Sequence, residues 1–109
     1  MPLYMSQFSY TPEAWATLTK NPQDRRAPLS ALALKVGAKI HNFYYAFGDF
    51  DGVVIFEAPN DKAAASLSIA AVTPGHIKAI KTTPLMTVED AMEVMRLAGE
   101  ASFTAPTKR

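Results

Sequence analysis

Two histidines and a run of tyrosines are the side chains in this sequence best suited to chemistry. His41, Tyr44 and Tyr45 lie close together in the chain. An imidazole exchanges a proton near neutral pH, and a phenol forms hydrogen bonds while its ring packs on a planar molecule. We therefore take these three residues as candidate ligand-binding residues, and the sequence assigns no catalytic residue.

A metal or cofactor site is not expected. His41 and His76 are the only histidines, and the chain has no cysteine. The strand order derived below places the two imidazoles at opposite sheet edges, on the order of 14 Å apart, whereas a metal binds nitrogen at about 2.1 Å. The missing cysteines exclude thiol nucleophiles and iron–sulfur clusters. Neither a nucleophile elbow nor a phosphate-binding glycine loop is present.

Composition limits the class of partner. Hydrophobic residues make up 49% of the chain and charged residues 19%, and the net charge is +1. Such a chain folds, but it has no long-range field to attract nucleic acid or an anionic membrane. Its longest nearly apolar segment, residues 63–72, is about half the length of a membrane span. We expect a cytoplasmic protein with no nucleic-acid or membrane partner.

Hydrophobic periodicity predicts the element order β-α-β-β-α-β-α. The strands are expected at residues 3–10, 39–47, 53–58 and 76–83. Helices are expected from Pro12, from the Asn60 or Asp61 cap and from the Thr87 cap. Two strand–helix–strand units around a hairpin indicate an α+β, ferredoxin-like fold with an antiparallel four-stranded sheet in the order four, one, three, two. The helices then cover one face of the sheet.

Prolines and glycines set the predicted boundaries of these elements. Pro22 and Pro28 interrupt the first helix, Pro84 ends the fourth strand, and Gly37 and Gly99 end helices. The expected organisation is one domain over residues 1–99 with a tail at 100–109. Within the last helix, an apolar stripe that includes Met92 and Met95 is interpreted, together with Met86, as helix core or adaptable packing rather than as a cofactor site.

Strands two and three are apolar on both alternating sets of side chains. One set is Ile40, Tyr44 and Ala46, and the other is Phe43, Tyr45 and Phe47. Helices cover only one face, and an exposed apolar sheet exceeds what monomers usually tolerate. We therefore expect a homodimer or higher homo-oligomer joined through the helix-free face. Which set of side chains faces the partner is left open by the sequence.

Residues 43–61, FYYAFGDFDGVVIFEAPND, resemble the GYD family, and the resemblance extends over residues 1–95. It implies a ferredoxin-like domain of the dimeric α+β-barrel type, without an agreed activity. The family motif falls on Gly48, Phe50 and Asp51, where phenylalanine replaces the motif's tyrosine. The ring is kept but the hydroxyl is lost. Turn conformations for the glycines and a bond from Asp51 to its own loop explain these residue types structurally.

RNA binding is an alternative interpretation of this element order, because RNA-recognition motifs have the same order. When Phe56 is aligned with the last aromatic of the RNA-binding strand, the stacking positions become Asp51 and Val53 and the basic position becomes Asp49. Carboxylates at these positions repel RNA. The sequence therefore favours other functions.

Two function classes remain, and both use the aromatic sheet. The first is a homodimeric protein that binds a small apolar or aromatic ligand in an aromatic-rich pocket. The second is a non-catalytic assembly or regulatory module. By fold analogy, the resemblance adds a cofactor-free oxygenase or isomerase as a further alternative. An enclosed cavity would favour a ligand site, whereas a solidly packed interface would favour assembly.

Overall fold

A computed structural model describes residues 1–107 and contains one sheet and four helices. The strands are β1 (Leu3–Tyr10), β2 (Lys39–Tyr45), β3 (Gly52–Glu57) and β4 (Ile77–Leu85), and the helices are α1 (Pro12–Lys20), α2 (Arg26–Lys35), α3 (Asp61–Val72) and α4 (Val88–Ala101). All strand pairs are antiparallel, in the order β2-β3-β1-β4. The predicted α+β ferredoxin-like fold and its strand order are confirmed.

The helix starts follow the predicted capping residues. The side chains of Thr11, Asn60 and Thr87 each accept a backbone N–H from the first turn of the helix that follows. Such caps satisfy amide groups that have no partner inside the helix. Local sequence therefore fixes where α1, α3 and α4 begin.

The predicted interruption of the first helix is confirmed. α1 ends at Lys20 and α2 begins at Arg26, with Pro22 in the connection. Pro28 lies inside the first turn of α2, where a missing N–H breaks no intrahelical bond. Gly37, at φ 75°, follows the end of α2 in the left-handed conformation that glycine favours.

Three predicted boundaries are wrong. β4 continues through Pro84, which pairs with Tyr4, because β4 is an edge strand and tolerates a proline. β2 ends at Tyr45 rather than at residue 47. α4 passes through Gly99 to Ala101, and the residue with positive φ after it is Ser102. Part of the predicted tail is therefore helical, and residues 108 and 109 lie outside the described residues.

The core lies between one face of the sheet and the helices α2 and α3. Even-numbered β1 residues face it, including Tyr4 at 2% and Phe8 at 6% exposure. Phe56 of β3 stacks on Tyr4 with ring centroids 5.4 Å apart. The other contributors include Ala33, Val54, Ala64, Leu67 and Ile77. Burial of these apolar side chains is the main driving force for folding.

A β-bulge in β2 decides which tyrosine faces the helices. The pairing of β2 with β3 shifts between Ile40 and Asn42, so His41 is an extra residue. Beyond the bulge, Phe43 contacts Phe8 on the helix side, with ring centroids 5.7 Å apart. Because side chains alternate along a strand, Tyr44 lies on the other face. The structure thus places Tyr44, and not Tyr45, on the face of the sheet without helices.

The sheet face without helices, here called the open face, has an apolar centre. Leu3, Met5, Val53 and Ile55 are half-buried there, and Tyr44 is 62% exposed. Within residues 1–107 the sheet has four strands. The helices α1, α2 and α3 contact the sheet from its other face.

The apolar stripe of α4 is also exposed. α4 buries none of its residues, and Met92 and Met95 are 50% and 67% exposed. Met86 is 60% exposed as well. The interpretation of these methionines as core is therefore wrong for the single chain. Within the described part of the chain, no helix combines the length and apolarity that crossing a bilayer requires.

Candidate functional site

A cavity of about 180 Å³ opens between the helix-covered face of the sheet and the helices α2 and α3. Its walls are mainly apolar and include Leu29, Leu32, Val54, Phe56, Leu67 and Ile80. An engineered cavity of about 150 Å³ with similar apolar walls binds benzene. This cavity therefore has room for a ligand about the size of one ring.

Ser6 and Ser68 contribute hydroxyl groups to the wall, and both contact the Thr82 hydroxyl. Thr82 Oγ1 of β4 lies 2.7 Å from Ser6 Oγ of β1 and 2.8 Å from Ser68 Oγ of α3. Ser68 also donates to the Ala64 carbonyl oxygen at 3.2 Å. These hydroxyls satisfy one another, so burial leaves no unpaired polar atom here.

Tyr10, Arg25 and His76 form what we call the polar end of the cavity. Tyr10 is the last residue of β1, Arg25 is the N-cap residue of α2, and His76 directly precedes β4. The rings of Tyr10 and His76 have centroids 6.1 Å apart. The Thr11 amide donates to the His76 carbonyl oxygen at 2.9 Å, which joins the two strand ends.

The positive charge of Arg25 is not neutralised by its acidic neighbour. Asp24 instead accepts bonds from the side chain of Arg26, the shortest at 2.8 Å. Hydrogen bonds from Arg26 lower the pKa of Asp24 to about 2. Arg25 itself contacts the neutral Gln23 Oε1 at 3.2 Å, and no carboxylate of residues 1–107 lies within 4.0 Å of its guanidinium.

Burial and neighbouring charge set the protonation of the other two groups. Burial, assisted by the positive charge of Arg25, lowers the pKa of His76 below its ordinary value of 6.5. Burial and the hydrogen bond to Tyr45 raise the pKa of Tyr10. At neutral pH the polar end thus contains a neutral imidazole, a neutral phenol and one cation. It can bind an anion and exchange hydrogen bonds, but Tyr10 is not available as a phenolate base.

Asp51 of the family motif connects the β2–β3 hairpin to neighbouring elements beside this polar end. Its Oδ2 accepts the Tyr10 amide at 2.9 Å and the Trp15 indole N–H at 3.2 Å. Its own amide donates to the Phe8 carbonyl oxygen at 2.8 Å. We expected Asp51 to bond within its own loop. The structure instead connects it to β1 and α1.

The motif glycine and the glycine after Asp51 do not adopt the expected turn conformations. Neither Gly48 nor Gly52 has a positive φ. A Cβ on Gly52 would lie 2.2 Å from Cζ of Phe8, whereas a Cβ on Gly48 would meet nothing within 4 Å. Gly52 therefore provides space for the Phe8 ring. Phe50 is half-buried in the same loop.

The structure brings two of the three predicted ligand residues together: His41 and Tyr44 line a second, open pocket of about 280 Å³ beside α2, and Tyr45 does not line it. Tyr45 reaches the polar end, with its hydroxyl 3.1 Å from the Tyr10 hydroxyl. Tyr44 lies on the open face, where the Asn42 amide donates to its hydroxyl at 3.5 Å. His41 Nε2 lies 3.6 Å from a carboxylate oxygen of Glu57. A ligand-binding role for these residues stays a prediction.

Sequence reasoning missed Tyr10 and Arg25 as site residues. Tyr10 was only the last residue of the first predicted strand, and Arg25 belonged to a polar segment between two prolines. The predicted interruption of the first helix was the signal that could have identified Arg25. A second helix begins after the break, and Arg25 at its N-terminus lines the cavity. Across residues 1–107 no three His, Asp or Glu side chains cluster as a metal site.

Comparisons with known proteins give a family match and similar solved structures. The model of the GYD domain family matches residues 4–95. A crystal structure titled MtbAldR superposes with a TM-score of 0.56 at 12% identity, covering 79% of this chain and 52% of that chain. The chain thus spans about half the length of that structure. An uncharacterized NIPSNAP domain protein from Burkholderia xenovorans gives a TM-score of 0.47 at 11% identity, with 81% and 95% covered. No curated protein matches the sequence.

Proposed function

The chain belongs to the GYD domain family, and we propose from its cavity that it is a small-molecule-binding protein. The fold alone does not identify a reaction. The ligand occupies the space between the sheet and the helices α2 and α3. The observation that carries this proposal is an open apolar cavity of about 180 Å³ with one polar end. Ligand pockets in proteins have this character: apolar walls and a few placed polar groups.

The small side chains in the cavity wall support this proposal. Protein interiors are packed to the density of organic crystals and contain few voids larger than a water molecule. Larger side chains at Ala70 or Ala71, both of which line the cavity, could fill the space. The sequence instead has small residues there, as expected of a wall that accommodates a ligand.

We further propose that two copies associate through their open faces. The apolar centre of that face and the exposed stripe of α4 are surfaces that a single chain leaves in contact with water. Burial of apolar surface is the main favourable contribution to most protein–protein association. In this arrangement the helices of both copies lie outside, so each cavity keeps its access to solvent.

Titration of the full-length chain with toluene, followed through its amide NMR signals, tests the ligand site. We expect saturable shifts for Leu29, Leu67 and Ile80, which line the cavity. Ala71→Leu adds three carbons inside the cavity and is expected to abolish these shifts. Ala65→Leu, on the exposed side of the same helix, is the matched control and should bind as the wild type does.

Either of two results would overturn the ligand site. One is a wild-type spectrum that toluene does not change. The other is equal toluene binding by the wild type and by a folded Ala71→Leu variant. Both results favour the non-catalytic assembly module, which needs no ligand.

A further inference from the structure

The polar end of the cavity contains a cation that no carboxylate of residues 1–107 neutralises. Arg25 has no carboxylate partner among residues 1–107, because Asp24 is bound by Arg26. The nearest motif carboxylate, Asp51, already accepts the Tyr10 amide and the Trp15 indole. A guanidinium without a carboxylate partner of its own can bind the carboxylate of a ligand through two parallel N–H bonds.

We propose that the ligand is a monocyclic aromatic or branched aliphatic carboxylate whose anionic group binds Arg25. This inference rests on the proposed ligand site and specifies its chemical class. The apolar part of such a molecule fits among Leu29, Leu67 and Ile80, and its carboxylate reaches the polar end. The His76 ring and the Tyr10 hydroxyl lie beside Arg25 as neutral hydrogen-bonding groups.

The number of cations favours a monoanion. Arg25 is the single cationic side chain that lines the cavity within the described residues, and His76 stays neutral at pH 7. A phosphate carries close to two charges and three strong acceptors, and it is usually bound by several cations or amide groups. A carboxylate carries one charge, which the planar guanidinium matches with two parallel N–H bonds.

The test compares benzoate with benzamide, which has nearly the same shape and no charge. Both are titrated into the full-length chain at pH 7 and followed by NMR. We expect benzoate to bind about tenfold more tightly, the usual gain of a hydrogen bond to a charged group. The preference should weaken as salt is added, because ions screen a partly exposed pair.

Two neighbouring arginines supply matched variants. Arg25→Met keeps much of the side-chain length but removes the charge, and it should abolish the preference for benzoate while toluene still binds. The control, Asp24→Asn combined with Arg26→Met, removes the adjacent exposed arginine together with its carboxylate partner, so that Asp24 is not left to pair with Arg25, and it should keep the preference. Equal preferences in these two variants would contradict the assignment to Arg25.

The outcomes separate this inference from the ligand site itself. If toluene binds in the cavity but benzoate binds no better than benzamide, the carboxylate class is wrong and the ligand site stands. If toluene, benzamide and benzoate all fail to bind, the ligand site is wrong, and the inference about Arg25 is wrong with it.

Discussion

At the scale of single residues, Asp51 and Gly52 connect the hairpin to β1 in two different ways. Asp51 accepts hydrogen bonds from β1 and α1. Gly52 pairs with Phe8 in the sheet and lies under its ring. The ring of Phe8 in turn packs edge-on against Tyr10, with centroids 5.2 Å apart. A substitution at Gly52 therefore acts on the polar end of the cavity through Phe8.

Gly52→Ala is expected to destabilise the protein by about 1 to 3 kcal/mol, the usual range for overpacking a core. The added Cβ would lie 2.2 Å from Phe8, so the ring must move. Urea denaturation measures the change. Gly48→Ala is the control, because its Cβ would meet nothing within 4 Å. Equal stabilities for the two variants would show that Phe8 does not constrain Gly52.

Residue types alone identified part of the candidate site. Tyr45 was singled out from its phenol, and it does reach the polar end. Tyr44 was singled out for the same reason, yet it lies on the opposite face. Composition cannot separate the two, because the direction of each side chain depends on an extra residue in the strand pairing. The residue type of Arg25 did not mark it as a site residue, because its candidate role depends on its position at the cavity.

At the scale of elements, caps and prolines made most of the fold predictable. A cap or a proline acts on backbone groups within a few residues, so Thr11, Asn60 and Thr87 mark helix starts directly. The end of α4 and the length of β4 were less predictable. Gly99 was compatible with a helix end but did not require one, and Pro84 is tolerated because β4 has no neighbour on its outer side.

The bulge in β2 yields a contrast between adjacent tyrosines. Tyr44→Asp would bury a carboxylate from each chain in the proposed dimer interface, at a cost of several kcal/mol. It should reduce the mass in solution from about 24 kDa, twice 11.9 kDa, to 11.9 kDa. Tyr45→Asp places the same charge on the helix side, near Tyr10, and should leave the dimer mass unchanged.

Light scattering at micromolar concentration, with circular dichroism as the check of folding, measures this contrast. A folded wild-type chain with a mass of 11.9 kDa would contradict the dimer. Equal masses for the two folded variants would contradict the assignment of Tyr44 to the interface.

At the scale of the whole molecule, the sheet separates two surfaces with different proposed uses. The helix-covered side contains the cavity and its polar end, whereas the open face and α4 present apolar side chains to solvent. The sequence predicted that both faces of the sheet are covered, because both sets of side chains in β2 and β3 are apolar. It could not predict the cavity, which depends on how far α2 and α3 stand from the sheet.

The central claim is that this cavity accepts a single-ring ligand, and a crystal of the full-length chain soaked with bromobenzene tests it most directly. Bromobenzene is neutral, so the result does not depend on Arg25, and the anomalous signal of bromine marks its position. We predict one bromine peak per chain between α2 and α3, beside Leu29, Leu67 and Ile80. Bromine peaks found only at the open face or along α4, or none at all, would contradict the claim.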